Sequence, residues 1–546
     1  MLVKILYRVL IALALVFTVI LAALGLFVHM EVYFASMAEA LIRVSGHPIK
    51  AIAFAFILLA INTLIVAAFY INANDKKMRR FHLSVFCTAA ICSVLGAIWV
   101  KEYSYNLVGD QKDVWDAATL LAQYKGEEAD LVYFKVYPQQ KIMCLAMTFF
   151  VKAFRDNGLI AFRVFSWLCA VLVVFFGACL AYRLSGREEA GTATAIMLTE
   201  FVSITLYSTY IYGTLPSLCF TLMSFYAVTL LIQTKKPIWL FAELLSCALM
   251  YTFYTGTLIA MVAIAIILIV FSIFSLLNKD KNATVTAIIG AILPFLLAGG
   301  IRVVAGEVFY LKTGLSPKED SLPASTWVRM GLTSNAGIGP GGYDGSHEIL
   351  FAENDFNEER TDAIAKENIR KAMEDYLDGK RSMKFFWHKT ETQWLDPWFG
   401  GLTMNVYSLE PAKVGLLTPF FTPQTLGRVQ RCLLALMNVC YCMASLYLIL
   451  QIWNKKPRLE TLLLPLYFVG GLCVSAVLGD KGPLLFSLLC LPPDPGGHCN
   501  GFAGAVPGEK IRSDERQEEV GRNGLCATVK KDKIDWCKHL HLMNKL

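Results

Sequence analysis

The chain has 546 residues, 56% of them hydrophobic and 17% charged, with a mean hydropathy of +0.52. That balance excludes an ordinary soluble globular protein, and several apolar runs reach the roughly 20 residues that cross ~30 Å of hydrocarbon, so an all-α polytopic membrane protein is expected. The net charge of +7 does not point to nucleic acid, because the basic residues sit mainly in short loops between apolar runs, where they set orientation.

Residues 1–82 hold two apolar runs, about Leu6 to Val28 and Ala51 to Ile71. Lys4 and Arg8 open the first and no small-residue cleavage site follows, so it reads as a retained span rather than a signal peptide. Lys76, Lys77, Arg79 and Arg80 then mark a cytoplasmic loop. Residues 83–305 form the core of the reading. A run from Leu83 to Val100 leads into the polar loop 101–140, where Asp110, Asp113 and Asp116 are followed by Asp130 and the turn Tyr137-Pro138-Gln139-Gln140. A carboxylate cluster at a membrane face makes this loop the candidate active site.

The next apolar stretch decides the sidedness. Lys141 to Phe154 is about 14 residues, and at ~1.5 Å per residue it falls short of a full crossing, so it reads as interfacial or re-entrant. Arg183 with Arg187, Lys235 with Lys236, Lys279 with Lys281, and Lys455 with Lys456 and Arg458 then share the cytoplasmic side. Loop 101–140, the turn Tyr212-Gly213-Thr214-Leu215-Pro216 and the polar region 306–427 fall outside. Further runs at 159–182, 190–209, 215–233, 239–254, 257–277, 283–304, 428–453 and 461–478 bring the expected spans to about eleven. Cysteines such as Cys87, Cys169, Cys219, Cys247 and Cys473 lie singly in these runs, as small hydrophobes do, so neither a zinc site nor a disulfide frame is expected.

Five motifs in order carry a resemblance: Asp110-Gln111 with Val114, then YPQQ at Tyr137, YGTLP at Tyr212, Trp327-Val328-Arg329-Met330-Gly331-Leu332, and Gly341-Gly342-Tyr343. With Arg163 leading a span, this order resembles the GT-C membrane glycosyltransferases, in particular the protein-mannosyltransferase and aminoarabinose-transferase-like branch of Gram-positive bacteria. It covers about residues 83–478. Gln139 and Gln140 stand where the family carries an Asn pair, Thr214 where an Asp is common, and Tyr254-Thr255-Gly256 where a basic residue and Pro-Asn are frequent.

The resemblance implies transfer of a sugar from a polyprenyl-phosphate donor to a glycan, lipid or protein acceptor of the cell envelope, on the extracytoplasmic face of the cell membrane. Asp110 is then the base that takes the acceptor's proton. Gln111, Tyr137, Gln139, Gln140, Tyr212, Trp327 and Tyr343 are the implied substrate contacts, and Lys141, Arg163 and Arg329 are the cations for the departing phosphate. No Gly-rich nucleotide loop or DxD motif occurs, which suits a lipid-linked donor. No cofactor is expected; nothing demands a metal, and a divalent cation stays open.

Plainer readings stand beside these. Asp110 could be a helix N-cap with Asp113 at the third helical position, Asp113 and Asp116 a solvated helix face, and Trp115 and Tyr133 interfacial anchors. Arg163 could snorkel, and the Gly339–Gly342 stretch could be an ordinary loop. His347, Glu348 and His388 suggest structural roles, and Glu358–Asp378 reads as a mixed-charge surface helix. A transporter or a flippase of lipid-linked oligosaccharide is the competing function, although few charges, chiefly Glu200 and Glu243, lie within spans. A non-catalytic scaffold of envelope assembly is a third.

After residues 428–478, which hold the last two spans, the composition shifts abruptly. Residues 479–546 are rich in Pro, Gly, Cys and charge, and Leu484 to Leu491 stops at Pro492-Pro493, about half a span. The family has an E-x-K-x-R-Y motif and a further span here. A one-base shift of reading frame near residue 478 permits that motif, so a frameshift and a genuine polar tail are the two explanations, the former implying an impaired enzyme.

Overall fold

The computed structural model describes residues 2–477 apart from 34–39, 46, 72–75, 104–105, 108, 318, 336–338, 406–413 and 454–457. The Lys455-Lys456 pair and the tail from residue 479 lie outside the described residues. The chain opens with α1 (Leu2–Phe27), an antiparallel hairpin of β1 (Val28–Tyr33) and β2 (Ala40–Ser45) in which Val28 faces Ser45, and α2 (Pro48–Tyr70). Pro48 sits at the first helical position, where its missing N–H leaves no bond unmade. α3 (Lys77–Glu102) leads to the short α4 (Asp110–Ala122) and α5 (Leu131–Val136), then α6 (Gln140–Phe154) and α7 (Gly158–Ser185).

The middle of the bundle comprises α8 (Glu188–Glu200), α9 (Val202–Leu206), α10 (Thr214–Thr234), α11 (Ile238–Phe253), α12 (Leu258–Leu277) and α13 (Lys281–Thr313). Between residues 314 and 422 come α14 (Ala324–Gly331), the two-residue strands β3 (Ser334–Asn335) and β4 (Gly339–Pro340), α15 (Ser346–Glu353), α16 (Glu358–Leu377), α17 (Lys384–Trp394) and α18 (Gly401–Asn405). Two long helices, α19 (Pro423–Trp453) and α20 (Leu463–Val477), close the described chain.

Among the described residues nine helices are long and apolar enough to cross a membrane, and the pair α8–α9, bent by 60° at Phe201, is a tenth if counted as one. Eleven runs were expected; the remaining one is α11, a shorter apolar helix of 16 residues. Large side chains such as Phe56, Leu64, Ile269, Leu276, Leu296 and Val303 point outward. In water such faces would aggregate, whereas hydrocarbon solvates them. This is a multi-pass membrane protein.

Residues 140–185 are one apolar stretch of 46 residues, too long for a single crossing. The Phe150 ring lies 5.1 Å from Phe162 and 5.4 Å from Phe165. In a continuous helix residues 12 apart are ~18 Å apart along the axis, so the chain must reverse at Arg155–Asn157. Arg155 takes a positive φ of 51° there, and α6 is a separate short helix packed against α4 and α13.

The 33 residues of α13 span about 50 Å, more than a bilayer core, and the end near Thr313 meets the α4–α5 connection. A Cβ at Gly126 would lie 2.2 Å from the Lys312 carbonyl oxygen, so only glycine fits that crossing. Polar contacts tie the 314–422 region together and dock it on the same bundle. Lys389 donates to the carbonyls of Gly331 (2.8 Å) and Ala476 (3.2 Å), while Tyr441 donates to that of Trp394 (2.8 Å).

The expected surface helix is α16. Asn357 caps it by accepting from the Arg360 N–H, and Thr361, Ala365, Ala372 and Tyr376 recur at helical spacing as its buried stripe.

Candidate functional site

Asp110 is the first residue of α4 and only 3% exposed. It is not the N-cap. Gly109 holds that position with φ 56°, its carbonyl accepting from the N–H groups of Lys112 and Asp113. Asp110 thus lies in the first turn, where the helix dipole favours a carboxylate. Gln111 beside it accepts a 3.0 Å bond from the Ile211 N–H, which ties the head of α4 to the turn before α10. Asp116, by contrast, is exposed and paired with Lys112 at 2.6 Å, as a solvated face requires.

That turn is fixed from two directions. The Tyr212 hydroxyl shares a 2.8 Å bond with that of Tyr133 on α5, so Tyr133 is a buried strut and not the interfacial anchor that its residue type suggested. Gly213 follows with φ 79°, and a Cβ there would come within 2.2 Å of the Phe253 carbonyl oxygen. Thr214 then begins α10, its buried hydroxyl without a hydrogen-bond partner among the described residues.

The YPQQ turn delivers Tyr137 into a cluster supplied by the 314–422 region. Its hydroxyl is 3.1 Å from that of Tyr343 and 3.3 Å from His347 Nε2, and both phenols donate to Glu348 Oε1. Trp327 covers His347 with ring centroids 4.2 Å apart and stands 6.0 Å from Tyr137. Arg329 donates to the Ser346 carbonyl at 3.2 Å, steadying the start of α15. Burial, and then the charges of Tyr343, Glu348 and Asp110, push the Tyr137 phenol well above its ordinary range. Burial, Glu348 and Asp110 do the same to Tyr343. Both stay protonated donors, and Asp110 is close enough for its charge to act on each.

The structure therefore gathers Asp110, Tyr137, Trp327, Arg329 and Tyr343 into one neighbourhood, with Gln111 and Tyr212 bracing its edge. Gln140 is buried and Gln139 half-buried at the head of α6, and among the described residues neither side chain hydrogen-bonds to the cluster. Lys141 and Arg163 lie elsewhere. Arg163 is 8% exposed with its guanidinium 4.8 Å from the Tyr103 ring centroid. It does not snorkel: its Nε and Nη2 are buried, with no hydrogen-bond partner among the described residues. Lys141 stands 5.7 Å from the Phe309 ring centroid, in a separate pocket.

His347 and Glu348, expected to be merely structural, sit at the centre of the cluster. The signal was their spacing, four and five residues after Tyr343, which one tight turn into α15 brings back onto the same phenol. No group of three or more His, Cys, Asp or Glu side chains able to hold a metal occurs among the described residues.

Fold and site together define a helical multi-pass membrane protein with a buried carboxylate–phenol cluster at one end of its bundle. Comparison with known protein families, curated proteins and solved structures finds no match.

Proposed function

We propose that this chain is a GT-C-like membrane glycosyltransferase that moves a sugar from a polyprenyl-phosphate donor to a cell-envelope acceptor on the extracytoplasmic face. In this reading the bundle has eleven spans, residues 306–427 form an outer cap, and α6 is re-entrant. The observation that carries the reading is the convergence of Asp110, from the loop after α3, with Tyr137, Tyr343 and Trp327 from three distant motifs. Their order in the sequence is that of the glycosyltransferase branch.

The chemistry is a direct displacement. The acceptor hydroxyl oxygen bonds to the anomeric carbon as the bond from that carbon to the donor phosphate breaks. Asp110 takes the hydroxyl proton, and the electron pair leaves on the lipid phosphate. Inversion at the anomeric carbon follows. The phenol oxygens, whose protons go to Glu348, are left as acceptors for the sugar's hydroxyl groups, and Trp327 offers an apolar face to its ring.

The competing transporter reading draws on Glu243, a fully buried carboxylate within α11 that accepts from Cys247 Sγ at 3.2 Å. Purified protein assayed with a panel of polyprenyl-phosphate sugars separates the two. Sugar transfer that disappears in Asp110→Asn supports the enzyme, and transfer undiminished in that variant removes Asp110 from the mechanism.

A further inference from the structure

Among the described residues of 314–405, the large apolar side chains left exposed are Met373, Leu377, Met383 and Trp387. All four belong to the corner where α16 turns into α17. Leu377 is 82% exposed, Met383 64% and Trp387 46%. An apolar side chain alone on a surface needs no explanation, whereas a group confined to one corner of a polar region marks a contact.

The corner holds its shape through its own packing. The Tyr376 ring lies 5.6 Å from Phe385 and 5.0 Å from Phe386, and both Tyr376 and Arg381 donate to the Leu332 carbonyl, at 3.2 and 3.3 Å. Met373 and Leu377 are one turn apart on α16; Met383 precedes α17 and Trp387 follows it by one turn. Lys389, buried against the bundle, comes two residues after Trp387, and two residues turn a helix by ~200°. Trp387 therefore faces away from the bundle.

The height of this corner follows from α20. The apolar run from Leu459 to Ala476 has 18 residues, ~27 Å of helix against ~30 Å of hydrocarbon, so Ala476 stands at one boundary of the bilayer core. Lys389 Nζ reaches the Ala476 carbonyl at 3.2 Å and Trp394 Nε1 reaches the Ser475 hydroxyl at 3.4 Å, which pins α17 at that level. Trp387 is only ~3 Å along the helix from Lys389. Cys473 and Val474, just below Ser475, are exposed, so lipid reaches this end of α20.

The charges decide how such a corner would meet a membrane. Lys380 pairs with Asp378 at 3.0 Å and Arg381 with Asp375 at 3.5 Å, so these cations are largely neutralised. Lys384 shares the face of Trp387, and its long stem keeps the ammonium among headgroups while its neighbours go deeper. The attraction is then burial of apolar surface rather than charge.

We propose that the α16–α17 corner inserts into the headgroup–acyl boundary of the bilayer that the bundle spans, with Leu377, Met383 and Trp387 as the inserted side chains. It fastens the 314–422 region to the membrane surface as well as to the helices. Through Leu332 the corner also steadies α14, which carries Trp327 and Arg329. Insertion does not depend on the glycosyltransferase reading.

The test places a single cysteine at Leu377, at Met383 or, as reference, at Glu359 in a cysteine-free full-length protein held in nanodiscs, one copy each. Glu359 lies ~27 Å from Leu377 along α16. All three side chains are exposed, so a nitrobenzoxadiazole label there leaves the fold intact. Lipid with a nitroxide near the top of its acyl chains should quench the dye at Leu377 and Met383 about 3-fold or more over that at Glu359. Discs of phosphatidylcholine alone and discs with added phosphatidylglycerol should give the same result. Quenching no greater than at Glu359 overturns the proposal. So does quenching that requires the anionic lipid, and so does a dye shielded from water that nitroxide lipid fails to reach, which would assign the corner to a protein partner such as a second copy.

Discussion

At the scale of single residues, Asp110 and Glu348 divide the work of the cluster. Both phenols donate to Glu348, so their protons are held away from the base. In the proposed mechanism Asp110→Asn should cut turnover by about 10²–10⁴-fold, the range for losing a general base, while Asp116→Asn, on the solvated face, changes it little. Steady-state transfer rates on protein of equal membrane yield check this. The raised phenol values have a second consequence. Native Tyr137 and Tyr343 hold their protons above the ordinary value of 10.0, so stability is fully present below that pH. It falls as pH rises past 10, because the unfolded chain loses those protons first. Thermal melts between pH 8 and 11 should show a shallower alkaline decline in Tyr343→Phe than in the parent, and an equal slope would place the alkaline sensitivity elsewhere.

Glycine positions decide how the elements meet. Gly213→Ala combines a left-handed backbone with a Cβ only 2.2 Å from the Phe253 carbonyl oxygen. The conformation alone costs about 1–2 kcal/mol, and relief of the clash must move the turn that carries Tyr212. A lowered melting temperature with weakened activity is expected; an unchanged melt would mean that the α10–α11 crossing is looser than it stands. Orientation is also a property of elements. With α6 folded back on α7, single cysteines at Glu127 and Glu367 should react with an impermeant thiol reagent in intact cells, and one at Asn278 should not. All three side chains are exposed, unlike Gly126, whose crossing with α13 admits no side chain. Labelling of Asn278 without Glu127 would invert the topology.

For the molecule as a whole, the 314–422 region must stay docked on the bundle, because it supplies Tyr343, His347 and Glu348 to a carboxylate that comes from α4. Lys389 is one of its fastenings, and its removal takes the donor from the buried Gly331 carbonyl, at about 1–3 kcal/mol, and cuts the link to the Ala476 carbonyl. Lys389→Met should therefore destabilise the protein and depress transfer together. That fastening reaches Ala476, before the unusual tail begins. A chain ending at residue 478 should accordingly insert and melt like the full-length protein, and failure of the shortened chain to fold would show that the tail is part of the structure. Resequencing the locus tests the frameshift directly: a shifted frame that runs into stop codons or charges rules it out.

The membrane class and the helices were legible in the chain itself, because an apolar run either is or is not long enough for hydrocarbon, and that condition is local. The motif order likewise singled out Asp110, Tyr137, Trp327, Arg329 and Tyr343. The short length of α6 already marked it as no full span, whereas tertiary structure alone decided that it packs back on α7 through Phe150, that Gly109 and not Asp110 caps α4, and that Tyr133 is a strut. It also moved Lys141 and Arg163 away from the cluster and brought His347 and Glu348 into it. The reason is physical: a side chain's partners more than 200 residues away, as Tyr137 finds Tyr343 and Glu348, are set by how helices pack, and no periodicity in the sequence encodes that crossing.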